Sequence, residues 1–231
     1  MLTARIATIA FFGGLLPSLL WLWFWLREEK CHRDPKRFIF YSFLAGMAAV
    51  PVVLPFQHFA SAYFTGTVVL ILWAVSEEIF KYIAASVTVL RPKLMDAPLD
   101  ALIFMISAAL GFSALENMLF LIAPLQAGDT IQAILTGNLR FIGATLLHTL
   151  SSATVGLGIA YGYYRSTTVK RIALVSALIL AIALHSGFNV LIMKSEQGGM
   201  FGAFLLVWAG IILLLLLFEK VKARSSQRQG C

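Results

Sequence analysis

Residues 200–218 read MFGAFLLVWAGIILLLLLF, a run without a single charge, closed by Glu219 and Lys220. In water such a run would need covering on every side. In lipid it needs no cover, because the solvent is as apolar as its side chains. A bilayer's hydrocarbon core is about 30 Å thick, and roughly 20 residues of helix cross it. Working outward, six more stretches have this character: 6–26, 38–59, 67–90, 100–123, 139–164 and 172–193. The whole chain of 231 residues is 60% hydrophobic and 13% charged, where soluble domains carry about 25% charged residues. No strand-like alternation persists. The expected fold is all-α: one polytopic transmembrane bundle, residues 1–231, of about seven spans, ending in a cytoplasmic tail at 219–231. The link 124–138 is the longest outside the spans and has room for a short interfacial helix.

The net charge of +7 does not point to nucleic acid, because the basic residues flank apolar spans and form no soluble surface of their own. Their distribution orients the chain instead. One side collects Arg27, Lys30, Arg33, Lys36 and Arg37, then Arg91 and Lys93, then Arg165, Lys170 and Arg171, then Lys220, Lys222, Arg224 and Arg228. The other side holds Arg5 and Lys194. By the positive-inside rule the N-terminus lies outside and the C-terminus in the cytoplasm. Segment 6–26 is too long and too Trp-rich for a signal peptide and is expected to stay as a span. Cys31 and Cys231 form no CxxC or zinc-ligand spacing, and the last four residues make no prenylation box, so both read as free thiols.

Ionisable groups at the centre of a span cost roughly 2.5–3.5 kcal/mol each on insertion scales, and this chain has several. Ser76-Glu77-Glu78-Ile79-Phe80-Lys81 lies in the third span and Gly111-Phe112-Ser113-Ala114-Leu115-Glu116-Asn117 in the fourth. The fifth opens near Arg140 and contains His148, Ser151 and Ser152; the sixth contains His185 and Asn189. Helical spacing lets Glu77 and Glu78 both approach Lys81, and puts His185 with Asn189 on one face and His148 with Ser152 on another. At a 1.5 Å rise per residue, Glu77, Glu78 and His148 lie about 14–17 Å below the outer surface, His185 about 10 Å and Glu116 about 6 Å. Four spans thus carry polar groups in the outer half of the bilayer.

Structural roles compete for each group. The Glu77, Glu78 and Lys81 cluster can fix helix packing, and a membrane His can be a plain interhelical donor, worth about 0.6 kcal/mol on average. Arg140 is expected to snorkel to water or phosphate. Gly158 and Gly162 read as local packing, Pro51 and Pro55 as kinks in the second span, and Trp21, Trp23 and Trp25 as an interfacial belt.

Amide hydrolysis needs an activated water, an oxyanion donor and an acid for the leaving amine. Paired carboxylates beside an ammonium supply a base, and His with Asn on a second helix supply donors. The chain has no GxSxG elbow, no Ser-His-Asp order, no paired Asp and no HExxH. A divalent metal such as zinc accepts both His and Glu, so Glu77, Glu78, His148 and His185 are its candidate ligands; the residues leave carboxylate and metal chemistry both open.

Glu77-Glu78-x-x-Lys81, then Phe112-x-x-x-Glu116, then His148, then His185-x-x-x-Asn189, each on its own span, resembles the PrsW family, within the wider group of membrane proteases that includes the CAAX prenyl endopeptidase. The likeness runs from about 74 to 191. It implies a bacterial plasma-membrane protease that clips single-span membrane proteins, such as anti-sigma factors, near their outer face. By the same likeness Glu77 or Glu78 activates water, while His185 and Asn189 hold the oxyanion. The CAAX enzymes carry His where this chain has Glu116. The expected partners are a single-span substrate and membrane lipid, with neither nucleic acid nor a soluble protein. Two other readings stand beside it: a non-catalytic scaffold like the multipass scaffold subunit of γ-secretase, and a proton-coupled transporter.

Overall fold

A computed structural model describes residues 3–28, 36–91, 94–194 and 197–229. Cys31, Cys231, Lys30, Arg33 and Lys93 lie outside the described residues, as do the side chains of Lys194, Arg224 and Arg228. The described residues are helical almost throughout, with no strand among them. Helices α1 (Ala4–Glu28), α2 (Lys36–Tyr63), α3 (Thr67–Thr88) and α4 (Pro98–Gln126) come first. Helix α5 (Thr130–Leu139) then runs through a π-helical turn, Arg140–Ala144, into α6 (Thr145–Gly162). Helices α7 (Thr167–Lys194) and α8 (Gln197–Gln229) complete the chain. Each of the seven apolar stretches lies mostly on helix, with 67–90 running two residues past the end of α3 and 139–164 two residues past the end of α6. The link 124–138 is mostly helix, and α5, the turn and α6 form one continuous rod.

Six of these rods are long and apolar enough to cross a membrane, by length and composition. Helix α3 is long enough, but Glu77, Glu78 and Lys81 interrupt its apolar window. All three side chains are buried inside the protein, so α3 keeps its charges from lipid while belonging to the same bundle. This is a multi-pass membrane protein.

Helix α4 is the axis. The most apolar window of α4 is 94% buried, against 22% for α7 and 28% for α8, and α1, α2 and α6 pack directly on it. Lipid provides no hydrophobic drive between helices, so small residues that allow close backbone approach carry the packing. A Cβ placed on Gly46 of α2 would lie 1.9 Å from the Ala108 carbonyl oxygen of α4, and one on Gly111 of α4 would lie 1.9 Å from the Phe43 carbonyl oxygen of α2. Gly156 of α6 approaches Ala101 and Leu102 in the same way, and Gly158 meets Ala173 and Ala177 of α7. Gly46→Ala or Gly111→Ala is therefore expected to force α2 off α4 and cost about 1–3 kcal/mol. Unfolding of the purified protein in detergent measures it; an unmoved midpoint in both would show that the helices do not touch there.

The tryptophan belt is corrected. Trp25 is buried against Phe218, and Trp21 donates through Nε1 to the Phe141 carbonyl at 3.3 Å. Trp23 is the one of the three that faces outward, with Arg27 over its ring. At the start of α4, the Asp100 carboxylate accepts from the Asp96 and Ala97 backbone N–H groups at 2.5 and 2.8 Å, satisfying donors that a helix entry leaves open.

Candidate active site

Helices α3, α4, α6 and α7 each turn polar side chains onto one point. Glu77 and Glu78 are neighbours on α3, so helical geometry aims them about 100° apart. Glu78 points into the packing. Its Oε1 accepts from Lys81 Nζ at 2.5 Å, from His185 Nδ1 at 2.6 Å and from Ser151 Oγ at 2.8 Å, and Ser152 Oγ lies 3.4 Å from Oε2. Glu77 points into a cavity. Its Oε1 accepts from Gln57 Nε2 of α2 at 2.8 Å, while its Oε2, though buried, has no hydrogen-bond partner.

Two imidazoles face that bare oxygen. His185 Nε2 lies 3.6 Å and His148 Nδ1 3.9 Å from Glu77 Oε2, and the three residues offer atoms that all lie within 4.8 Å of one another. A carboxylate can only accept, so the outer nitrogens carry the ring protons. His185 Nδ1–H donates to Glu78, and His148 Nε2–H donates to Glu116 at 2.8 Å. That leaves the lone pairs of His185 Nε2 and His148 Nδ1 aimed inward, beside a carboxylate oxygen. His148 Nδ1 has the Lys81 ammonium 3.2 Å away, but Glu77 Oε2 and His185 Nε2 accept from no donor among the described residues, and these two would repel one another unless a cation or a proton lay between them. Ligands about 2.0–2.1 Å from a tetrahedral zinc sit about 3.4 Å apart, a little less than the 3.6 and 3.9 Å from Glu77 Oε2 to the two imidazole nitrogens. Both histidines also have the outer carboxylate partner that orients metal ligands. The residues fit a divalent ion held by Glu77, His148 and His185. Glu78, expected among the ligands, lies one layer out, behind His185.

Lys81 is wholly buried; its ammonium donates to Glu78 and to His148 Nδ1 at 3.2 Å, and lies over the Phe112 ring at 5.3 Å. Glu116 accepts from His148 and Arg140 through the same oxygen, Oε2. The snorkelling expected of Arg140 is overturned: from the π-turn it reaches inward to Glu116 and, through Nε, to Asn117 Oδ1 at 2.5 Å. Asn189 shares the cavity and makes no hydrogen bond among the described residues. Gln57 escapes a sequence reading, since a neutral amide costs far less in a span than a charge and raises no alarm.

The cavity holds about 570 Å³ and carries apolar walls, including Leu70, Phe188, Met193 and Phe204. Its lining comes from the C-terminal halves of α2, α4 and α7, the N-terminal halves of α3 and α8, and the stretch from the end of α5 through the π-turn to His148 at the start of α6. It therefore opens at the end of the bundle opposite the arginine- and lysine-rich connections.

Residues 34–217 match the family described as PrsW family intramembrane metalloprotease. The chain belongs to the PrsW family. Protease PrsW of Geobacillus kaustophilus (strain HTA426) is 24% identical over 208 residues, covering 86% of this chain and 88% of that protein. Protease PrsW of Halalkalibacterium halodurans (strain ATCC BAA-125 / DSM 18197 / FERM 7344 / JCM 9153 / C-125) is 25% identical over 217 residues, 91% of this chain and 94% of that one. No solved structure matches. PrsW membership makes the protein a member of a peptidase family, and the family's description as a metalloprotease agrees with a group of three side chains, Glu77, His148 and His185, that could hold a metal ion.

Proposed function

We propose that this protein hydrolyses a peptide bond in a single-span membrane protein, near the extracytoplasmic face of a bacterial plasma membrane, at the Glu77, His148 and His185 centre. The observation that carries this is the unpartnered Glu77 Oε2 facing two imidazole lone pairs in a buried cavity. A divalent ion such as zinc, when bound by these three, would make a water nucleophilic at neutral pH. Gln57 turns the Glu77 carboxylate so that Oε2 faces the centre. Glu78 and Glu116 fix the two ring orientations. The free amide of Asn189 lies in the same cavity, able to donate to an oxyanion. Apolar walls exclude bulk water and suit the unwound apolar stretch of a membrane-spanning substrate. The bias of basic residues toward the other end supports an extracytoplasmic opening.

One contact favours a second, metal-free reading, in which Glu77 takes the proton of the attacking water. The Lys81 ammonium already donates to His148 Nδ1, the nitrogen a metal would need. Chelation separates the two. In proteoliposomes carrying a single-span substrate with an extracytoplasmic cleavage region, a strong chelator is expected to stop cleavage and zinc to restore it. Cleavage untouched by exhaustive chelation removes the metal reading and leaves Glu77 as the base. Failure to cleave any single-span protein, with or without zinc, removes the proposed substrate class.

A further inference from the structure

Arg140 has no hydrogen bond to the three converging atoms or to Lys81, yet its guanidinium is held by Glu116, Asn117 and the Phe120 ring. Its Nη2 donates to Glu116 Oε2, the oxygen that also takes the His148 Nε2 proton. Its Nε donates to Asn117 Oδ1 at 2.5 Å, and Asn117 in turn donates through Nδ2 to Thr145 Oγ1 at 3.0 Å. The Phe120 ring lies under the guanidinium at 3.9 Å. A planar fork suits acceptors on two successive residues of one helix, a geometry that the single ammonium of lysine does not provide. The backbone beneath it is held as well. Arg140 opens the π-turn, its carbonyl accepts from the Thr145 N–H, and the next carbonyl, that of Phe141, accepts from Trp21. Such turns inside α-helices recur at functional sites.

We propose that Arg140 is a positioning residue which, through Glu116, fixes the His148 ring with its Nδ1 lone pair turned toward Glu77 and His185. The proposal rests on reading those three residues as a ligand set. Two donors on one oxygen hold Glu116 in place; without the guanidinium, the carboxylate keeps His148 as its single hydrogen-bond partner. It can then swing toward the open cavity. The His148 ring then loses the acceptor of its Nε2 proton and can turn off the Lys81 ammonium, which donates to Nδ1 at 3.2 Å. Once that contact is broken either nitrogen can carry the proton, and the tautomer with Nδ1–H offers no ligand to the centre.

Two measurements on the full-length protein in detergent test this. Cobalt(II), titrated by its visible absorption, reports ligand-set affinity without any turnover. Arg140→Ala is expected to weaken cobalt binding by about 10–100-fold, the usual loss on removing an outer partner of a metal ligand. Adding Arg140→Ala to Glu116→Gln is expected to weaken it no further than Glu116→Gln alone, since the arginine acts through that carboxylate. Arg140→Gln serves where the alanine variant does not fold. Nitrogen-15 histidine spectra of the metal-free protein give the second readout: Nε2–H at His148 in the parent, a mixture of tautomers in the variant. Unchanged cobalt affinity, a double variant weaker than Glu116→Gln, or an unchanged His148 tautomer each overturns the proposal. A parent protein that binds no cobalt overturns the metal reading instead, and the tautomer spectra then decide the positioning role by themselves.

Discussion

Glu77→Gln is expected to fold and pack like the parent and to lose about 10²–10⁴-fold in kcat/KM. The retained fold follows from the hydrogen bonds. Glu77 Oε1 accepts from Gln57, and the carbonyl oxygen of the new amide can do the same. Oε2 has no partner to lose, and an amide N–H in its place faces the His185 Nε2 lone pair at a separation now 3.6 Å. The lost rate follows from the same atom. As a metal ligand, an amide is a far poorer donor than a carboxylate; as a base, it takes no proton. Both readings of the site predict the same loss, so the variant tests the centre itself and not the choice of chemistry. Cleavage of a single-span substrate in proteoliposomes, measured beside a thermal midpoint, checks it. Parental turnover in Glu77→Gln would place the chemistry elsewhere. A large fall in the midpoint would show that Glu77 is structural.

That two adjacent glutamates divide their roles so sharply was not legible in the sequence. The costs of burial make the charged groups conspicuous: Glu77, Glu78, Lys81, Glu116, His148 and His185 stand out because lipid punishes each of them, and the structure does bring these six side chains into one network. Which glutamate faces the cavity depends on what lies across from α3. Ser151, Ser152 and His185 surround Glu78 from α6 and α7, and spacing along α3 carries no trace of them. Arg140 was misread for a similar reason. At the edge of a span an arginine ordinarily reaches for water, and nothing in RFIGA announces a π-turn that swings it back onto α4. The bundle itself was easier, because a run such as 200–218 has no other stable setting. Helix α3 was the hard case: its three charges interrupt the apolar run, and it sits in the bundle because all three side chains are buried against partners on α2, α6 and α7.

Lys81→Met is expected to be among the most destabilising single changes in the bundle. Its ammonium is wholly buried, 2.5 Å from Glu78 Oε1 and 3.2 Å from His148 Nδ1. Methionine fills much of the same volume but leaves the buried Glu78 with only neutral donors around it: Ser151, Ser152 and the His185 ring. Breaking a buried ion pair from one side costs about 3–5 kcal/mol, which corresponds to a fall of roughly 6–20 °C in Tm for a chain of this size. The penalty comes from the stranded carboxylate and not from the missing contact, and this has a consequence that can be measured. Lys81→Met combined with Glu78→Gln removes both charges, so the double variant should recover a substantial part of what the single loses. Melting of the three variants in one detergent, read as a double-mutant cycle, gives the coupling directly. Losses that simply add would mean that Glu78 and Lys81 are not a pair. A Tm within about 2 °C of the parent in Lys81→Met, on the same scale, would mean that water reaches the ammonium and that the pocket around α3 is wet.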